Sequence, residues 1–96
     1  MTGTAGDTVQ LSGRLTLEQS VALFNKGLPW PDGEAAVRID FAQVEEVDST
    51  AVSLMLSWLR AAQQKNVALA FVNVPENLLS LTKLYGVDST LPLQAA

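Results

Sequence analysis

Asp48, Ser49 and Thr50 set one carboxylate beside two hydroxyls, and such a group could serve catalysis, capping or recognition. A hydroxyl becomes a useful nucleophile only beside a base, and the chain has no histidine to supply one. It has no cysteine either, which removes thiol chemistry and the usual zinc sites. A Ser-Lys arrangement would have to bring in Lys65 or Lys83, and nothing in the sequence argues for that contact. Asp40 and Asp48 both suit strand ends but show no spacing specific to a catalytic carboxylate pair. The chain is therefore expected to be non-catalytic, with no metal and no cofactor. The triplet does suit a helix start. Its oxygens can accept from the first free backbone N–H groups, and the partial positive charge there also receives a phosphate or a partner's polar group.

The helix that follows the triplet separates its residues by face. Ala51, Val52, Leu54, Met55, Leu56, Trp58, Leu59, Ala61 and Ala62 fill one arc; Thr50, Ser53, Ser57, Arg60 and Gln64 fill the other. The apolar arc spans roughly 200°, about twice what packing on one surface needs. Its margins, with Leu54 and Trp58 at one edge and Leu56 at the other, are thus expected to contribute to a partner surface.

The remaining elements alternate around this helix. Val9 and Leu11 alternate with Thr8, Gln10 and Ser12 in a half-buried strand reaching Leu15. Thr16 looks like an N-cap, with Gln19 completing a capping box. Leu17, Val21, Phe24 and Leu28 form a helical stripe expected to be buried, ended by Gly27 and Pro29. Leu28 to Gly33 is turn-forming, and its Trp30 is expected to cover the end of that first helix. Val37, Ile39 and Phe41 mark a second strand, after which Ala42 to Val47 leads into the central helix. Val67 to Val72 is apolar on both faces and reads as an interior strand. Pro75 suits a first helical position, Leu78, Leu81, Thr82 and Tyr85 carry a closing stripe, and Gly86 suits the residue after the helix. Met1 to Gly6 could fray or add a short edge strand. The order is that of an α/β domain with a mixed β-sheet and helices packed against it, a single domain over 1–96 with its core at about 8–90.

Composition narrows the function. The chain has 96 residues, 48% of them hydrophobic, and a net charge of -4. Its six basic residues are scattered, which argues against nucleic-acid binding. No apolar run reaches the ~20 residues that span a bilayer, and no secretory signal is readable, so a soluble cytoplasmic protein without direct membrane insertion is expected. No dinucleotide or phosphate glycine loop joins a strand to a helix.

Three segments together resemble a STAS domain: Leu11-Ser-Gly-Arg-Leu-Thr16, Val47-Asp48-Ser49-Thr50 and Leu81-Thr-Lys-Leu-Tyr-Gly-Val87. Within that family the chain is most similar to the Mla-type branch. That likeness implies a non-catalytic STAS subunit, cytoplasmic and held at the inner membrane by its partner, the ATPase of a phospholipid ABC transporter that maintains outer-membrane lipid asymmetry. The alternative branch, the anti-sigma factor antagonists, resembles the chain in the same loop. The resemblance implies a phosphorylated hydroxyl at Thr50 in the antagonist branch and a functional hydroxyl at Ser49 in the Mla-type branch. Both branches usually carry glycine where this chain has Ala51, whose methyl is expected to restrict a kinase's or partner's approach. Lys83 and Tyr85 on the closing helix complete the expected partner-binding set of Asp48, Ser49, Thr50, Leu54 and Trp58.

Overall fold

The computed structural model describes residues 7–27, 30 and 35–93. Strands and helices alternate: β1 (Asp7–Leu15), α1 (Leu17–Lys26), β2 (Ala36–Val47), α2 (Ser49–Gln64), β3 (Ala68–Val72) and α3 (Glu76–Leu84). The suggested edge strand at Met1 to Gly6, the Leu28 end of the first stripe, Pro29 and most of the Leu28 to Gly33 turn lie outside the described residues. Trp30 is described, and it is buried in the core.

The sheet runs β1-β2-β3, and both pairings are parallel. The described strands thus form a parallel sheet, because each connection passes through a helix that returns the chain to the same starting end. One face collects Val9 and Leu11 from β1, Val37, Ile39 and Phe41 from β2, and Leu69 and Phe71 from β3. The Phe41 and Phe71 rings meet edge to face at 5.9 Å, a favoured aromatic geometry. On the opposite face Thr8, Gln10, Arg38 and Ala68 are exposed.

Two strand expectations need correction. The central strand is β2, not the apolar run at Val67 to Val72, whose Ala68 is exposed. Alanine reads as apolar in a sequence but tolerates water at little cost, so the run looks more buried than it is. On its other side, among the described residues, β3 meets only Leu93, through a parallel bridge closed by the Phe71 N–H donating to the Pro92 carbonyl at 2.9 Å. The tail, featureless in the sequence, also buries Leu91. Finally, β2 does not end at Phe41 but runs on to Val47. It carries extra residues where its register against β1 shifts, between Gln10 and Ser12 and between Gly13 and Arg14. Asp40 meets the first irregularity by accepting from the Ala42 N–H at 2.9 Å and from Asn73 Nδ2 at 3.0 Å.

Helix ends explain why the elements stop where they do. Gly86 (φ 70) follows α3, where its N–H donates to the Lys83 carbonyl and that of Val87 to Thr82. Asn66 (φ 58) does the same for α2, its N–H on Gln63 and that of Val67 on Ala62. Pro75 is the N-cap of α3, one residue before the helix. α2 buries Ala51, Val52, Leu54, Met55, Trp58 and Ala62.

Two outcomes follow. Phe71 is fully buried, so Phe71→Ala should cost about 3 to 5 kcal/mol in urea unfolding, and an unchanged midpoint would contradict its place in the core. Asn73 and the Ala42 N–H hold the Asp40 carboxyl below the usual aspartate value of 3.8. A depressed folded-state pKa gives stability that is complete above 3.8 and is lost as pH falls through the lowered value. Asp40→Asn should therefore be less stable than the parent at pH 7, with the gap narrowing in acid unfolding below 3.8.

Candidate functional site

The site is built at the end of the sheet where β1 and β2 hand over to their helices. Leu15 pairs with Val47, so α1 and α2 start from adjacent points. Asp48, next in line, has extended backbone and caps α2, its Oδ1 accepting from the Thr50 N–H at 2.9 Å. Its Oδ2 accepts from the Leu17 N–H at 3.1 Å and so caps α1 as well, 31 residues back along the chain. The Asp48 N–H donates to the Leu15 carbonyl at 3.3 Å. Thr16, the expected cap of α1, makes no capping bond and instead donates its hydroxyl to Gln19 Oε1 at 2.8 Å. The carboxylate from the neighbouring helix has taken its place, because an ionised acceptor bonds an N–H more strongly than a neutral hydroxyl does.

The Thr50 hydroxyl is bonded to Asp48 Oδ1 and lies 3.0 Å from Ser20 Oγ. An ionised carboxylate only accepts and a hydroxyl has one proton, so Thr50 gives its proton to Asp48 and takes that of Ser20. Ser20 is the one residue of α1 that is fully buried among those described. Thr50 is thus half-buried and engaged on two sides, whereas Ser49 is exposed.

Two grooves flank this first turn of α2. One, of about 220 Å³, is lined by Leu17, Val21, Phe24 and Asn25 of α1 against Thr50, Ser53 and Leu54, with Ser20 at its base. The other, of about 380 Å³, is lined by Ser49, Thr50, Val52, Ser53 and Leu56 together with Tyr85 from the end of α3. Tertiary structure therefore brings Asp48, Ser49, Thr50 and Tyr85 together. Lys83 is exposed on the last turn of α3 but lines neither groove.

Leu54 and Trp58 are not surface residues. They are 2% and 3% exposed, because α1 and α3 flank α2 and cover both margins of its apolar arc. Leu56 is half-buried. The Ala51 methyl is buried too, so it faces the core and not an approaching partner. The apolar surface that sequence reasoning missed is on α1: Leu17, Val21 and Phe24 are 59%, 48% and 59% exposed. Their spacing was legible, but an exposed apolar stripe has the same period as one that packs in the core. On α3, Leu84 and Tyr85 add exposed apolar area. Among the described residues no cluster of acidic, histidine or cysteine side chains could hold a metal ion, and no helix is long and apolar enough to cross a membrane.

The family model described as "Mlab, STAS domain" matches residues 2–94. Among solved structures, the chain is similar to that of the anti-sigma factor antagonist SpoIIAA in its unphosphorylated form, at 18% identity and a TM-score of 0.59, covering 100% of this chain and 86% of that one. At that identity the likeness is one of fold. No curated protein matches the chain.

Because Asp48 serves two helices, Asp48→Ala should cost about 2 kcal/mol, at or above the top of the range for a single cap. Ser49→Ala, at an exposed first-turn position, should change stability by less than about 0.5 kcal/mol. Chemical denaturation of the two variants beside the parent measures both, and equal small losses would refute the double-capping role.

Proposed function

The chain belongs to the STAS family described as Mlab, STAS domain, and on that premise we propose that it is a non-catalytic accessory subunit that binds the ATPase of an ABC-type phospholipid transporter. In this reading it maintains outer-membrane lipid asymmetry from the cytoplasmic side, held at the inner membrane by that ATPase. One observation carries the choice between the two branches of the family. Ser49, the hydroxyl directly after the aspartate, is exposed at the lip of a groove, whereas the Thr50 hydroxyl is turned inward to Asp48 and Ser20. A contact made through the first hydroxyl fits this arrangement without rearrangement.

The docking face we assign is centred on the first turn of α2. Ser49, Ser53 and the edge of Thr50 form its polar ridge, Leu17, Val21 and Phe24 its apolar wall on one side, and Leu56 and Tyr85 the wall on the other. Apolar anchors around a small polar centre are what a specific protein interface uses. Leu54 and Trp58 support this face from beneath without reaching it.

The likeness to SpoIIAA favours a second reading, an antagonist switched by phosphorylation at Thr50. A phosphate would add about -1.5 to -2 charges beside Asp48 and break the contact with Ser20. The engaged state of Thr50 weighs against this reading, since a kinase would first have to free the hydroxyl.

Binding to a purified ATPase subunit of a phospholipid ABC transporter tests the proposal by calorimetry. Ser49→Arg and Phe24→Ser should each weaken binding about 100-fold or more at an unchanged melting temperature, as expected for interface centres. Thr50→Asp should also lose binding. Full affinity in all three variants would sink the transporter reading, and modification of Thr50 by a switch kinase would establish the other.

A further inference from the structure

α1 is held on differently from the other helices. With ten residues it is shorter than the ~12 to 15 that even good helix formers need to stand alone in water, so its order depends on tertiary contacts. Those contacts are sparse. α2 buries six side chains, five of them large or medium apolar groups or alanines packed tightly in the core with Trp58, whereas α1 buries one, and that one is Ser20. Leu23 is half-buried against the core, and Leu17, Val21 and Phe24 face outward. The helix also lacks a cap of its own, its first N–H being satisfied by Asp48 across the chain. Two polar contacts therefore fasten α1 to the start of α2: the Leu17 N–H on Asp48, and Ser20 Oγ on Thr50 at 3.0 Å.

We propose that Ser20 is a positioning residue, and that the Ser20, Thr50 and Asp48 group is a latch from which α1 opens as a unit while the sheet, α2 and α3 stay folded. Polar contacts of this kind are individually weak beside the burial that holds the rest, so α1 opens at a lower free energy than the whole chain unfolds. Closure builds the Leu17, Val21 and Phe24 wall. It also places Phe24 and Gly27 beside Leu54 and Trp58, so opening uncovers apolar surface that the closed state hides. The consequence for binding rests on the docking face proposed above: a partner that needs the closed helix binds with an apparent dissociation constant divided by the closed fraction, so loosening the latch weakens binding without removing a contact. The opening itself does not depend on that reading.

Native-state amide hydrogen exchange on the full chain, followed in increasing sub-denaturing urea, tests the latch without a partner. In the parent chain the amides of residues 20–26 should exchange with little dependence on urea, while those of β2 and α2 follow global unfolding. Ser20→Ala should speed exchange in α1 by about tenfold, the size of one lost hydrogen bond, and leave β2 unchanged. Asp48→Asn has one acceptor oxygen where the carboxylate has two, so it can satisfy only one of the two helices and should act in the same direction. Merging of the α1 amides with the global exchange in the parent would overturn the proposal, as would unchanged α1 exchange in both variants. Calorimetry with the ATPase subunit then separates the two ideas. Weaker binding by Ser20→Ala, scaling with the measured opening, joins latch to docking. An altered exchange pattern with unaltered binding would keep the latch and remove α1 from the docking face.

Discussion

One carboxylate ties the two halves of the fold together. Both connections in a parallel sheet run from the end of one strand to the start of the next, so α1 and α2 both begin at the same end of the sheet, where Leu15 lies beside Val47. Two helix N-termini side by side present free N–H groups and two partial positive charges that oppose each other. Asp48 stands between them, each oxygen taking one helix, and its negative charge offsets both ends at once. A neutral cap could satisfy one donor set but would leave the electrostatic conflict in place. The rest of the site inherits its geometry from this residue, since Asp48 Oδ1 sets the Thr50 hydroxyl and that hydroxyl in turn sets Ser20.

The placement of polar and apolar groups around that residue inverts the usual pattern on α1. Its buried position holds a serine, and its outward positions hold Leu17, Val21 and Phe24. At 48% to 59% exposure, each forgoes only part of the roughly 1.5 to 3 kcal/mol that full burial of such a side chain gains. This exposed stripe is the reason the proposed docking face includes α1. The hydroxyl ridge of α2 beside it adds direction, because Ser49 is available to a partner while Thr50 is occupied within the fold.

Much of this was legible in the sequence because it is written locally. The alternation of Val37, Ile39 and Phe41 fixes which face of β2 is buried, Asp48 announces the start of α2, and Gly86 ends α3 through the left-handed backbone that glycine adopts freely. The membership of the chain in the STAS family was likewise carried by short segments spread over most of its length. Less legible was anything depending on what lies across space. The bridge from Leu93 to Phe71 and the burial of Leu91 arise in a tail without periodicity, because a single extended residue against a sheet edge leaves no repeat to read.

By itself the sequence determined the alternation of strands and helices, the amphipathic faces and the chemistry available at residues 48 to 50, since each of these follows from side-chain type and a fixed backbone period. Only the tertiary structure decided which apolar stripe is core and which is surface. The wide arc of α2 is consumed by neighbours on both sides, so Leu54 and Trp58 go inside, and the narrower stripe of α1 is left outside. Periodicity states that a face is apolar, but the partner that covers it is set by how elements distant in sequence are brought together. The same holds for the cap of α1: Thr16 and Asp48 are both suitable acceptors, and the parallel crossover that places Asp48 3.1 Å from the Leu17 N–H is what selects the aspartate.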